Sequence, residues 1–243
     1  MLKRYLLTPW RQLAATLLEF LQPFTLSLDL AVALLLMGAY WYLAVPGNRG
    51  LGRLEPGFAS ATGRVVMSVL LLWRLPLLYL RYVPLAGYQP PRWGWGDVRF
   101  GVPVTLLASV LVLLLLALGS SDPDLQATYP WAGAQLGRSA LTLLLGLLLR
   151  VAYNIAFEFF FRGFLLQRLQ AHWNLSAAVW FQTMASALLH VGTPVAEFVS
   201  SIPAGLLFAA LALRGRSLLY PVALHVVIGF GMEVLSLWQQ GLL

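Results

Sequence analysis

The sequence predicts an all-α protein, a polytopic transmembrane helical bundle of about seven helices. Of its 243 residues, 60% are hydrophobic and only 10% are charged, and the mean hydropathy is +0.78. A soluble domain carries about 25% charged residues, so this chain could not cover its surface in water. Apolar runs long enough for a bilayer also recur along the chain. We therefore expect an integral membrane protein. The expected address is a bacterial cytoplasmic (inner) membrane, although composition alone does not exclude an organelle.

A helix needs about 20 mainly apolar residues to cross the hydrocarbon core. Segments rich in Gly, Pro and charged residues separate the runs that satisfy this requirement. The predicted spans are Leu28 to Val45, Val65 to Tyr82, Val102 to Leu118, Ala140 to Phe161, Leu175 to Leu189, Val195 to Leu213 and Leu218 to Leu237.

The spans form one membrane domain with two parts. Residues 1–139 are predicted to hold an N-terminal interfacial helix and the first three transmembrane helices, and residues 140–243 a core of four. The interfacial helix is expected within Met1 to Leu28, where Lys3, Arg4 and Arg11 precede mixed apolar residues. This segment lacks the long apolar core of a cleavable signal peptide.

The formal net charge of +7 does not indicate a nucleic-acid partner. Most basic residues are single arginines at the ends of apolar runs, which is typical of loops that face anionic lipid. The chain has no cysteine, which excludes disulfides, thiolate metal sites and a cysteine nucleophile. The partner expected from this charge pattern is the lipid bilayer.

Three apolar spans carry polar residues at intervals of four, the spacing that places side chains along one helix face. Ionisable residues in hydrocarbon cost about 2.5–3.5 kcal/mol on insertion scales, so they usually face the bundle interior. The three stripes are Arg150, Asn154, Glu158 and Arg162 in the fourth span, Gln182, Ser186 and His190 in the fifth, and His225, Gly229 and Glu233 in the last.

Two interpretations of these stripes stay open. Glu158, His190 and His225 together supply a general base, an acid and an oxyanion donor, which is what amide hydrolysis requires. Alternatively, the stripes are interhelical hydrogen bonds, with Arg150 and Arg162 neutralising Glu158 and Glu233. Two His and one Glu would also suit zinc. A metal-free site without a cofactor is expected, because no His-Glu-x-x-His helix is present.

The run from Glu158 to Leu165, followed by a span that ends in His190, resembles the CPBP family of intramembrane proteases. This family contains CAAX-prenyl-protease and bacteriocin-immunity (Abi-like) relatives. The segment from Arg216 to His225 adds to the resemblance, which covers Ala140 to Trp238. It implies that Glu158, Arg162, His190 and His225 are the catalytic residues of a glutamic-type endopeptidase, whose partner is a membrane-anchored or lipidated protein substrate. On that reading Glu158 is the base for water, assisted by His190, while His225 stabilises the oxyanion and Arg162 orients Glu158.

Three positions depart from the family motifs. Phe157 stands where the family has its first Glu, Ser186 where it has Phe, and Gly229 where it has Asn. The first departure matters most, because in the family that Glu activates water together with the first His. A catalytically inactive scaffold or chaperone for membrane proteins is therefore the alternative function. A transporter is a third possibility, since intramembrane charges also mark ion paths.

Overall fold

The structure is a computed structural model that describes residues 25–44 and 57–243, together with Leu13 and Thr16. Most of the predicted interfacial helix lies outside the described residues. Within them the chain is helical, with no β-strand. The elements are α1 (Thr25–Ala44), α2 (Phe58–Tyr82), α3 (Val98–Gly119), α4 (Pro123–Thr128), a 3₁₀ turn (Gly133–Arg138), α5 (Ala140–Gln170), α6 (Leu175–Leu188), α7 (Val195–Arg214) and α8 (Leu219–Gln239).

The predicted bundle of about seven spans is confirmed. Six of the described helices are long and apolar enough to cross a membrane, and α6 is a shorter apolar helix of 14 residues. The largest difference from the predicted bounds is in α5. The predicted span ends at Phe161, but the helix continues through Arg162 to Gln170. Arg162 and Arg168 remain buried there, which keeps this polar stretch inside the protein.

Two of the long helices, α2 and α5, each contain a π-helical segment. In α2 it covers Val69–Arg74 and directly precedes Pro76. Since proline has no N–H, the regular hydrogen bond to the carbonyl four residues earlier cannot form there. In α5 the π-helical segment covers Phe159–Leu165, so it begins at the residue after Glu158 and contains Arg162. Such segments are frequent at functional sites, and this one changes the helical register within the polar stripe.

Helix α5 is the centre of the bundle and packs against α2 and α8. Four phenylalanines of its π-helical segment form the densest part of the core, each at most 2% exposed: Phe159, Phe160, Phe161 and Phe164. Helix α3 lies at the periphery. Its leucines are exposed, among them Leu107, Leu115 and Leu118, as expected for a helix that faces lipid.

A buried ion pair joins α1 to the C-terminal end of α5. The Arg168 guanidinium donates to both carboxylate oxygens of Asp29, with Nε–Oδ distances of 2.8 and 2.9 Å. Its Nη1 also donates to the Val83 carbonyl at 2.8 Å. Tyr79 OH donates to Asp29 Oδ1 at 2.6 Å, and His172 Nε2 lies 3.5 Å from Oδ2. This cluster explains why polar residues are tolerated here, since each charge is paired.

We expect Tyr79→Phe to lower the free energy of unfolding by about 1.5–3 kcal/mol, the range for a hydrogen bond to a charged group. The matched control is Tyr82→Phe in the same helix, where the tyrosine is 65% exposed and little change is expected. Unfolding of both variants would be measured in mixed micelles by denaturant titration. Equal stability of the two variants would show that the Tyr79 hydroxyl does not stabilise the Asp29–Arg168 pair.

Candidate functional site

The fully buried carboxylate of Glu158 forms the centre of the candidate site. Its Oε1 is 2.6 Å from Nδ1 of His225 on α8. The same oxygen accepts from Arg162 Nη1 at 3.3 Å, one helical turn further along α5. The second oxygen, Oε2, has no hydrogen-bond partner among the described residues. Three of the four predicted site residues therefore meet in one cluster.

The Arg162 side chain extends from α5 and contacts α7. It is 1% exposed, and Nη2 donates to the Gly205 carbonyl at 3.4 Å. The guanidinium also lies 5.2 Å from the centre of the Phe208 ring, a cation–π contact. These contacts fix the cation beside Glu158 and compensate a negative charge that would otherwise be costly to bury.

The His225 imidazole is held on two sides by aromatic rings. It stacks on Phe208, with ring centres 5.1 Å apart, and meets Phe157 edge to face at 5.2 Å. Nδ1 faces Glu158, so this nitrogen carries a proton whenever the carboxylate is ionised. Nε2 then remains for a ligand or substrate. A carboxylate that orients an imidazole in this way is the arrangement found in many hydrolases.

His190 lies just after the end of α6 and does not join the cluster. Within residues 57–243, Glu158 and His190 share no hydrogen bond or ion pair. His190 Nδ1 instead lies 3.0 Å from the Ser186 carbonyl, and Nε2 lies 3.9 Å from Glu197 Oε1. Burial lowers the pKa of His190 to about 4, so the ring is neutral at pH 7.

Phe157, Ser186 and Gly229, the three positions that depart from the family motifs, each pack against other residues of the site. The Phe157 ring lies beside both imidazoles, 6.1 Å from that of His190 by ring centres. At Gly229 an added Cβ would come within 3.3 Å of Arg150, so the Arg150 guanidinium fills the space beside this glycine. Ser186, on α6, lies against Gly205 of α7, where an added Cβ would be 3.4 Å from Ser186 Oγ. A small side chain at position 186 therefore lets α6 and α7 pack closely.

A second buried charge cluster lies next to the first. Arg150 donates to Glu233 Oε1, with Nε 3.0 Å away, and Glu233 Oε2 accepts from the Trp131 backbone N–H at 2.8 Å. The Arg150 guanidinium also lies 3.5 Å from the centre of the Trp131 ring. The expected neutralisation of Glu158 by Arg162 and of Glu233 by Arg150 is thus what the structure shows.

Sequence reasoning missed Glu197, in the first turn of α7. Its Oε2 accepts from Tyr129 OH at 3.1 Å, and its Oε1 is the atom that approaches His190. A signal was available in the sequence, because Glu197 is the only acidic residue of the apolar run from Val195 to Leu213. The hydrogen-bond partner could not be inferred, since Tyr129 lies in a loop 68 positions earlier.

Two cavities adjoin these side chains. The smaller, of about 30 Å³, is lined by His190, Glu197, Phe157 and Arg64 among others. The larger, of about 280 Å³, lies between the loop around Pro91 and the end of α7 and reaches Arg162. Across residues 25–44 and 57–243, no three His, Cys, Asp or Glu side chains are grouped closely enough to hold a metal ion.

Comparison with known proteins gives one similarity, which covers the C-terminal part of the chain. A family model described as Rce1-like, type II CAAX prenyl endopeptidase, matches residues 138–231. The match begins just before α5 and ends in α8, so it contains Glu158, Arg162, His190 and His225. No curated protein and no solved structure matches the chain.

Proposed function

We propose that the chain is an active intramembrane endopeptidase that cleaves membrane-anchored or lipidated proteins, of the Rce1-like family of type II CAAX prenyl endopeptidases whose model matches residues 138–231. One observation carries this proposal. Inside the matched segment, a buried carboxylate holds an imidazole at 2.6 Å, and that imidazole keeps one nitrogen for a substrate.

The cluster supports a division of roles. His225 Nε2 donates to the carbonyl oxygen that becomes an anion during attack. Glu158, bonded to Nδ1, orients the ring and stabilises the imidazolium that donates. Arg162 holds the Glu158 carboxylate in place through their ion pair. His190, across the Phe157 ring from this cluster, contacts the attacking water.

The larger cavity suits the end of a lipidated chain. It combines the Arg162, Arg92 and Arg216 side chains with apolar Pro91 and Leu218. Guanidinium groups bind carboxylates well, so the C-terminal carboxylate of a short C-a-a-X tail could bind there. We further propose that the host membrane is a bacterial cytoplasmic membrane, in which such a substrate would be anchored beside the enzyme.

The test compares protein termini by mass spectrometry in the cytoplasmic-membrane fraction of native cells. The cells carry wild type, a deletion, His225→Ala or the matched control His172→Ala. His172 contacts Asp29 and lies outside the cluster, so its variant should cleave as wild type does. We expect a defined set of termini to disappear in the deletion and in His225→Ala. Loss of one oxyanion donor typically lowers kcat by about 10²–10³-fold.

Two other outcomes would contradict the proposal. Termini that change only in the deletion, with membrane insertion of His225→Ala intact, would indicate the inactive scaffold or chaperone instead. Termini that are identical in all four strains would leave no endopeptidase activity to explain.

A further inference from the structure

Glu197 and His190 face each other at a distance too long for a direct hydrogen bond. Their nearest atoms, Oε1 and Nε2, are 3.9 Å apart. At such a separation a bridging water is the first possibility to consider. The other oxygen of the Glu197 carboxylate, Oε2, accepts a hydrogen bond from Tyr129 OH at 3.1 Å, which holds the carboxylate in position.

The hydrogen bonds of His190 determine that a water in this gap must donate its hydrogens. A carbonyl oxygen only accepts, so the contact between Nδ1 and Ser186 O at 3.0 Å places the ring proton on Nδ1. The burial that keeps the ring neutral then leaves Nε2 as an acceptor. Glu197 Oε1 is an acceptor as well, so two acceptors face the same gap. A water molecule that donates one hydrogen to each satisfies both.

The space between His190 and Glu197 is large enough to hold a water molecule. The cavity that both side chains line has a volume of about 30 Å³, enough for one water molecule. Arg64 also lines this cavity, and its buried Nε has no hydrogen-bond partner among the described residues. The wall also contains Phe157, the residue that stands where the family has its first Glu.

We propose that Glu197 is the general base of this enzyme and that, with His190, it holds the attacking water. The carboxylate that position 157 lacks would thus be supplied from a different helix, α7. This inference rests on the proposed endopeptidase function and names the group that activates its water.

Hydrolysis of a peptide bond would then use Glu197 as a base and afterwards as an acid. The water oxygen forms a bond to the scissile carbonyl carbon, and one water proton passes to the Glu197 carboxylate. The C–N bond then breaks, and Glu197 returns that proton to the leaving nitrogen. The products are a carboxylic acid and an amine, and Glu197 is again a carboxylate.

The test uses the full chain in proteoliposomes, with an internally quenched peptide that carries a farnesylated C-a-a-X end as the probe. Glu197→Gln keeps the shape of the side chain and its acceptor for Tyr129, so a merely structural role would survive. We expect kcat to fall by about 10²–10⁴-fold, the range for general acid–base catalysis, with KM and the unfolding midpoint unchanged. Asp124→Asn, a substitution of an exposed residue in the first turn of α4, is the control and should match wild type.

A second variant covers the case in which Glu197→Gln does not fold. Glu197→Asp withdraws the carboxylate by one methylene, and a displacement of about 1 Å can cost about 10²-fold in rate. If the folded Glu197→Gln variant, or otherwise Glu197→Asp, keeps wild-type kcat, Glu197 is not the base. An active wild type with that result overturns this inference alone. A wild type that cleaves nothing overturns the proposed function and, with it, the base.

Discussion

Replacing Glu158 with glutamine is expected to lower kcat by about 10⁴-fold while the protein remains folded. The physical reason is the hydrogen bond between Oε1 and His225 Nδ1 at 2.6 Å. An amide that turns its N–H₂ toward the imidazole favours the wrong tautomer, and the corresponding change in a serine protease triad costs about 10⁴-fold. The measurement is kcat in proteoliposomes with the farnesylated peptide.

The carboxylate-to-amide control is again Asp124→Asn, because Asp124 is exposed in the first turn of α4. The expected pattern is a large loss for Glu158→Gln and none for Asp124→Asn. A Glu158→Gln enzyme within threefold of wild type would contradict the role of Glu158 in orienting His225. It would leave the assignment of Glu197 as base open to its own test, because the two carboxylates lie on different helices.

Replacing Arg162 with methionine is expected to cost about 3–5 kcal/mol of stability, the range for leaving one charge of a buried pair uncompensated. Glu158 is fully buried, and its Oε2 already lacks a partner. After the substitution only His225 would remain to bind this carboxylate. The free energy of unfolding would be measured by denaturant titration in mixed micelles.

The double variant Arg162→Met/Glu158→Gln separates charge from packing. With the buried charge removed as well, we expect most of the lost stability to return, while peptide cleavage remains abolished. The coupling energy from the complete cycle reports the pair itself. Equal stability of the single and the double variant would show that Arg162 acts through packing on Phe208 and Gly205 and not through Glu158.

The sequence predicted which residues of the fourth span form its polar face. The spacing of four residues from Arg150 to Arg162 predicted one polar face, and all four side chains are buried. It also predicted that Arg162 and Glu158 lie one turn apart, since that contact is local. The alternative of interhelical polar contacts describes the Arg150–Glu233 pair, while the catalytic interpretation of Glu158 and His225 stays a prediction.

The arrangement around the two histidines could not be predicted in the same way. His225 is 67 positions from Glu158, and nothing in the local sequence chooses it over His190 as the partner of that carboxylate. The choice follows from packing. Helix α8 lies against α5 and carries His225 to Glu158, whereas the end of α6 carries His190 toward the first turn of α7, where Glu197 lies.

The sequence by itself determined the membrane location, the number of helices and the residues that carry charge into the bilayer. Each of these follows from hydropathy and periodicity, which are local properties of the chain. The tertiary structure decided which charges meet, how far α5 extends, and that Glu197 faces His190. These depend on contacts between distant segments, such as Asp29 with Arg168, 139 positions apart. A buried ionisable group must find a partner, but only the packing of the helices determines which one lies within reach.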